Sequence, residues 1–69
     1  MKLTRMDGGA LPEEVHDYAE ALLVIDGELR LRIAGQTVRV CAGELCLVPA
    51  DTAHAVDEGS AGTLLILDT

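Results

Sequence analysis

The sequence predicts an all-β domain, and three observations carry that prediction. Turn-forming residues recur at short intervals, at Gly8-Gly9, Asp26-Gly27, Ala34-Gly35-Gln36, Ala42-Gly43, Pro49-Ala50-Asp51 and Glu58-Gly59-Ser60-Ala61-Gly62. The runs between them are about five to seven residues long, usual for strands and short for helices. Glu28 to Ile33 alternates strictly, with Leu29, Leu31 and Ile33 on one face and Glu28, Arg30 and Arg32 on the other, the period of a half-buried strand. Asp26-Gly27 lies between two apolar runs and predicts a hairpin, because glycine accepts the positive φ of a tight primed turn.

Taken in order along the chain, Met1 to Gly9 has no apolar leader-like core, so a cytoplasmic protein is expected. The next segment reads two ways. On propensity alone residues 12–22 form a helix, with Pro12 at its first position, Glu13 and Glu14 in the first turn, and Leu11, Val15, Tyr18 or Ala19, and Leu22 at helical spacing. The motif spacing described below overrides that reading in favour of extended chain. Ala21-Leu22-Leu23-Val24-Ile25 and Leu64-Leu65-Ile66-Leu67 are apolar at every position, which implies strands buried on both faces. A lone small barrel gives each strand one dry face, so the second dry face predicts a partner, most simply a symmetric homodimer. Thr37 to Val40 alternates like Glu28 to Ile33. Without repeats, low-complexity tracts or linkers, residues 1–69 are expected to form a single domain.

Composition narrows the function. Five Lys or Arg stand against twelve Asp or Glu, a formal charge of −7. The bases Lys2, Arg5, Arg30, Arg32 and Arg39 are scattered, which argues against a nucleic-acid partner and against an anionic membrane surface. Apolar residues make up 49% of the chain, and no run approaches the roughly 18 residues of a membrane span. A chain this small buries only about 60% of its unfolded surface, so its core needs a supplement from disulfides, metal or a partner. Phe and Trp are absent and Tyr18 is the sole aromatic, leaving small aliphatic side chains to fill the interior. Cys41 and Cys46 are expected as reduced, buried thiols rather than a disulfide. Ser60 has no His or acid at a meaningful sequence distance, and no glycine-rich stretch ends in Lys-Ser or Lys-Thr, so neither a serine triad nor a phosphate loop is predicted.

The chemistry-bearing residues are His16, Glu20 and His54. His54 shares the parity of Val56, and Glu20 shares that of Leu22 and Val24, so these side chains point inward if their neighbours do. Unpaired, an inward carboxylate and imidazole each cost several kcal/mol, on the order of 2–7 for a neutral polar group and more for a charge. A divalent metal removes that cost: two imidazoles and one carboxylate form a three-ligand facial set suited to iron(II) and compatible with manganese, nickel, cobalt or zinc. The same residues also admit a plain reading, in which the histidines lie on exposed loops or bond to backbone and Glu20 sits at a rim.

The spacing resembles the signature of the cupin superfamily. The first cupin motif, Gly, five residues, His, one, His, three or four, Glu, six, Gly, falls on Gly8, Glu14, His16, Glu20 and Gly27 with every spacing kept. The second, Gly, five residues, Pro, one, Gly, two, His, three, Asn, falls on Gly43, Pro49, Asp51, His54 and Glu58. Seven of the ten positions match in residue type, and the fifteen residues between Gly27 and Gly43 suit small microbial members. The resemblance implies a small antiparallel β-barrel of the jelly-roll type, usually dimeric, with a metal inside.

Three positions depart from the pattern: Glu14 stands where a His ligand is expected, Asp51 replaces a Gly, and Glu58 replaces an Asn. The implied ligand set becomes His16, Glu20 and His54, with Glu14 as a candidate fourth; two glutamates favour a harder ion such as manganese(II) or iron(II). Asp51 is expected to tolerate the conformation of the missing glycine. The leading expectation is a metal-binding cupin acting on a small polar substrate, with Tyr18 as a candidate substrate contact and no catalytic residue assigned. The alternatives are a metal-free module that binds or senses a small molecule, motivated by Glu14, and a structural dimer with a vestigial site.

Overall fold

A computed structural model describes residues 1–68; Thr69, the last residue of the expected domain, lies outside the described residues. The chain is all-β. Its strands are β1 (Lys2–Asp7), β2 (Leu11–Glu14), β3 (Glu20–Ile33), β4 (Gln36–Cys41), β5 (Leu45–Val48), β6 (His54–Val56) and β7 (Ala61–Asp68). All pairings are antiparallel, in the order β1-β7-β3-β6-β2, with β4 and β5 also paired to β3. The sheet curls into a half-barrel of the jelly-roll type around one concave face. The propensity-based helix over 12–22 is replaced by β2, a loop, and the start of β3. Here pairing of β2 with β6, and of β3 with β5 and β7, outweighs local preference.

The hairpin expected at Asp26-Gly27 is not formed. Strand β3 runs straight through it for 14 residues. Gly27 does take the positive φ of 79° that motivated the turn, but inside a bulge. Against β7, Val24 pairs with Leu64 and Asp26 with Thr63, so Ile25 is an extra residue. The partner strand explains the difference. Gly27 pairs with Gly62, whose φ is 105°; a Cβ on Gly27 would sit 2.0 Å from the Ala61 carbonyl oxygen, and one on Gly62 would sit 2.1 Å from that of Asp26. The bulge therefore depends on two facing glycines. The two-residue turn is at Ala34-Gly35, both with positive φ, between the paired Ile33 and Gln36.

The bulge also resets which residues face inward. Before it, Leu22 and Val24 are buried; after it, Leu29 and Leu31 are fully buried. An even set becomes an odd set, as one inserted residue in a period of two requires. With Met6, Val40, Val48 and Leu64 these residues form the core, on the concave side.

The convex side is different. In-register pairs carry Leu3, Leu65, Leu23 and Leu45 across β1, β7, β3 and β5 in one row. Leu23 and Leu65 are half-buried, while Leu3, Leu45 and Leu47 remain exposed. The second dry face expected for the two apolar runs is thus not supplied by the described chain itself. Cys41 and Cys46 are free, and half-buried rather than buried. Cys46 packs against the core, and burial pushes its thiol pKa up.

Candidate metal centre

Each site residue is positioned by an identifiable backbone element. Glu14 ends β2 and Glu20 opens β3, so the loop 15–19 carries His16 between them. That loop is tied down when the Asp51 N–H donates to the His16 carbonyl over 2.7 Å. Asp51 adopts φ 60°, the left-handed conformation expected of a residue standing in for glycine. His54 opens β6 and pairs with Ile33 of β3 and Glu14 of β2, which brings the two motifs onto one wall.

The four side chains converge. His16 Nε2 lies 3.0 Å from Glu14 Oε2 and 3.5 Å from Glu20 Oε1, and His54 Nε2 lies 3.3 Å from the same Glu20 oxygen. Ligand atoms of Glu14, His16 and His54 all fall within 4.8 Å of one another. Bonds of about 2.1 Å to one ion place neighbouring ligand atoms roughly 3 to 4 Å apart, so Glu14, His16 and His54 could hold a metal ion with small side-chain adjustments. Glu20 and His54 are the most enclosed, with side chains 11% and 12% exposed, while Glu14 is 59% exposed. The histidine is oriented by its own loop: His54 Nδ1 lies 2.9 Å from the Thr52 carbonyl. A proton on Nδ1 donated to that oxygen leaves Nε2 with a free lone pair, the tautomer a metal requires.

Tyr18 stacks on His16 with ring centroids 4.9 Å apart and planes 14° from parallel. Burial, and then the carboxylates of Glu20, Asp68, Asp17 and Glu14, push its phenol pKa upward, so it stays a protonated donor at neutral pH. Beside the cluster a cavity of about 290 Å³ lies on the concave face, with Glu14, Glu20, His54, Leu22, Leu64 and Ile66 among its lining residues.

Some contributors have no signal in the sequence. The Thr52 carbonyl that orients His54 is backbone, and any residue there could supply it. Ser60, dismissed as a nucleophile, is 1% exposed. Its Oγ accepts the Arg30 N–H over 2.8 Å and donates to the Asp57 carbonyl over 3.0 Å, holding the loop before β7 against β3.

Comparison with known proteins places this geometry. A family profile described as Cupin domain matches residues 2–69. Quercetin 2,3-dioxygenase of Bacillus subtilis (strain 168) is 37% identical over 60 residues, which are 86% of this chain and 18% of that protein. Among solved structures, KdgF from Halomonas sp. superposes with a TM-score of 0.79 at 20% identity, covering 96% of this chain and 61% of KdgF. TT1209 from Thermus thermophilus gives a TM-score of 0.72 at 25% identity, covering 93% of this chain and 62% of TT1209. The chain thus spans less than a fifth of the curated relative's length and about three fifths of these two structures.

Proposed function

The chain belongs to the cupin domain family, and on that premise we propose that it is a metal-binding cupin whose concave cavity receives a small polar ligand. His16, His54 and Glu20 would hold one divalent transition ion, with Glu14 as the fourth ligand. The observation carrying this reading is the convergence of two imidazole Nε2 atoms on Glu20 Oε1, with His54 already held by Thr52 in the metal-competent orientation. Bound there, such an ion would supply Lewis acidity at the cavity mouth. Likeness to a quercetin dioxygenase supports a metal-dependent activity but not that substrate: a flat ring would find one aromatic side chain, Tyr18, already stacked on His16.

The reading extends to assembly. The exposed leucines of the convex face support a homodimer formed through β1, β7, β3 and β5. The free thiols suit a reducing, cytoplasmic compartment, and no helix among the described residues is long and apolar enough to cross a membrane.

Elemental analysis of protein purified without a metal-affinity tag tests the metal. About one equivalent of a transition metal is expected in the wild type, and about a tenth of that in His54→Ala or Glu20→Ala. Less than about a tenth of an equivalent in wild-type protein, unchanged after reloading, would overturn the proposal.

A further inference from the structure

We propose that Tyr18 is a positioning residue for the metal site: its ring, stacked on His16, holds the imidazole with Nε2 turned toward Glu14 and Glu20. The consequence for binding rests on the metal reading above; the orientation itself is a property of the metal-free chain.

The two histidines are held by different means. His54 opens a strand, and its Nδ1 lies 2.9 Å from the Thr52 carbonyl. His16 sits in the loop 15–19, and among the described residues no hydrogen bond reaches its Nδ1. The bond from the Asp51 N–H ends on the His16 carbonyl, so it fixes the backbone and leaves the side chain free to turn about χ1 and χ2. Its sequence neighbours Val15 and Asp17 are both exposed.

The His16 ring is instead placed between two other rings. Tyr18 lies nearly parallel to it, with centroids 4.9 Å apart and planes at 14°, the range of an offset stack. His54 crosses it at 57° with centroids 5.3 Å apart. Since His54 belongs to the same ligand set, Tyr18 is the aromatic group that constrains His16 from outside it. Tyr18 does not line the cavity, so its ring acts on His16 rather than on the cavity's contents. The contact is made by the ring face, so phenylalanine should serve as well as tyrosine. A histidine already oriented in the free protein loses less rotamer freedom when an ion binds, and that difference appears as affinity.

Tyr18→Phe and Tyr18→Leu, compared with wild type, test this with two readouts. In metal-free protein, NMR should show an upfield ring-current shift of the His16 ring protons in wild type and Tyr18→Phe that is lost in Tyr18→Leu, with the backbone amide signals of β6 unmoved. With zinc(II) as the probe, competed against a chromophoric chelator, affinity should fall about three- to tenfold in Tyr18→Leu and stay within about twofold of wild type in Tyr18→Phe. Wild-type zinc affinity in Tyr18→Leu, an equal loss in both variants, or identical His16 ring shifts in wild type and Tyr18→Leu would each overturn the inference. A merely structural side chain would move the β6 amides and the melting temperature along with affinity. The failures separate: if wild type binds no zinc that is lost in His54→Ala, the metal reading falls, while the ring shifts of the metal-free protein still decide whether Tyr18 orients His16.

Discussion

That Glu14, His16, Glu20 and His54 come together was readable from spacing, because each motif sets a short, fixed count of residues around a strand end. Ser60 was not readable. Its role rests on a hydrogen bond to Arg30, thirty residues away, and nothing in its Gly-rich surroundings announces that partner. Removing the hydroxyl leaves the Arg30 N–H without its acceptor, so Ser60→Ala should cost about 1–3 kcal/mol in urea denaturation; a loss below about 0.5 kcal/mol contradicts the assigned role. Asp51 shows the converse. Its substitution for the motif glycine is legible as a conformational equivalence, and the chain adopts φ 60° there.

At the scale of elements, period and punctuation marked most strands, and one punctuation mark misled. Asp26-Gly27 carries a local hairpin signal, yet the facing Gly62 turns the same positive φ into a bulge within β3. A residue 35 positions downstream decides the matter, and local pattern cannot weigh it. The consequence for stability is specific. Gly27→Ala should cost about 3 kcal/mol or more, since it adds left-handed strain to a backbone clash with Ala61. Gly35→Ala, at the same φ of 79° but with open space around its Cβ position, should cost only about 1–2 kcal/mol. Equal losses in the two variants would show that the close β3–β7 approach is not a constraint. The parity switch makes Gly27 matter for the site too, because Glu20 and Leu31 face one cavity only if the bulge is kept.

For the molecule as a whole, the all-β jelly-roll class was legible in the sequence, and the doubly apolar runs pointed beyond a single chain. Inner members of those runs form the core, and the outer ones leave an exposed aliphatic face. Light scattering at micromolar concentration should give a dimer mass for the wild type and a monomer for Leu47→Glu, whose parent side chain is 68% exposed, with the far-ultraviolet circular dichroism of the two alike. A monomeric wild type would remove the proposed assembly. On the concave side, imidazoles and carboxylates from two distant motifs meet at 3.0 to 3.5 Å, the arrangement proposed to hold the metal. Anomalous diffraction at transition-metal edges, on crystals of untagged protein, tests it most directly. One peak is expected about 2.0–2.2 Å from His16 Nε2, His54 Nε2 and a Glu20 oxygen. No peak there, even in crystals soaked in manganese(II), iron(II) or zinc(II), would contradict it.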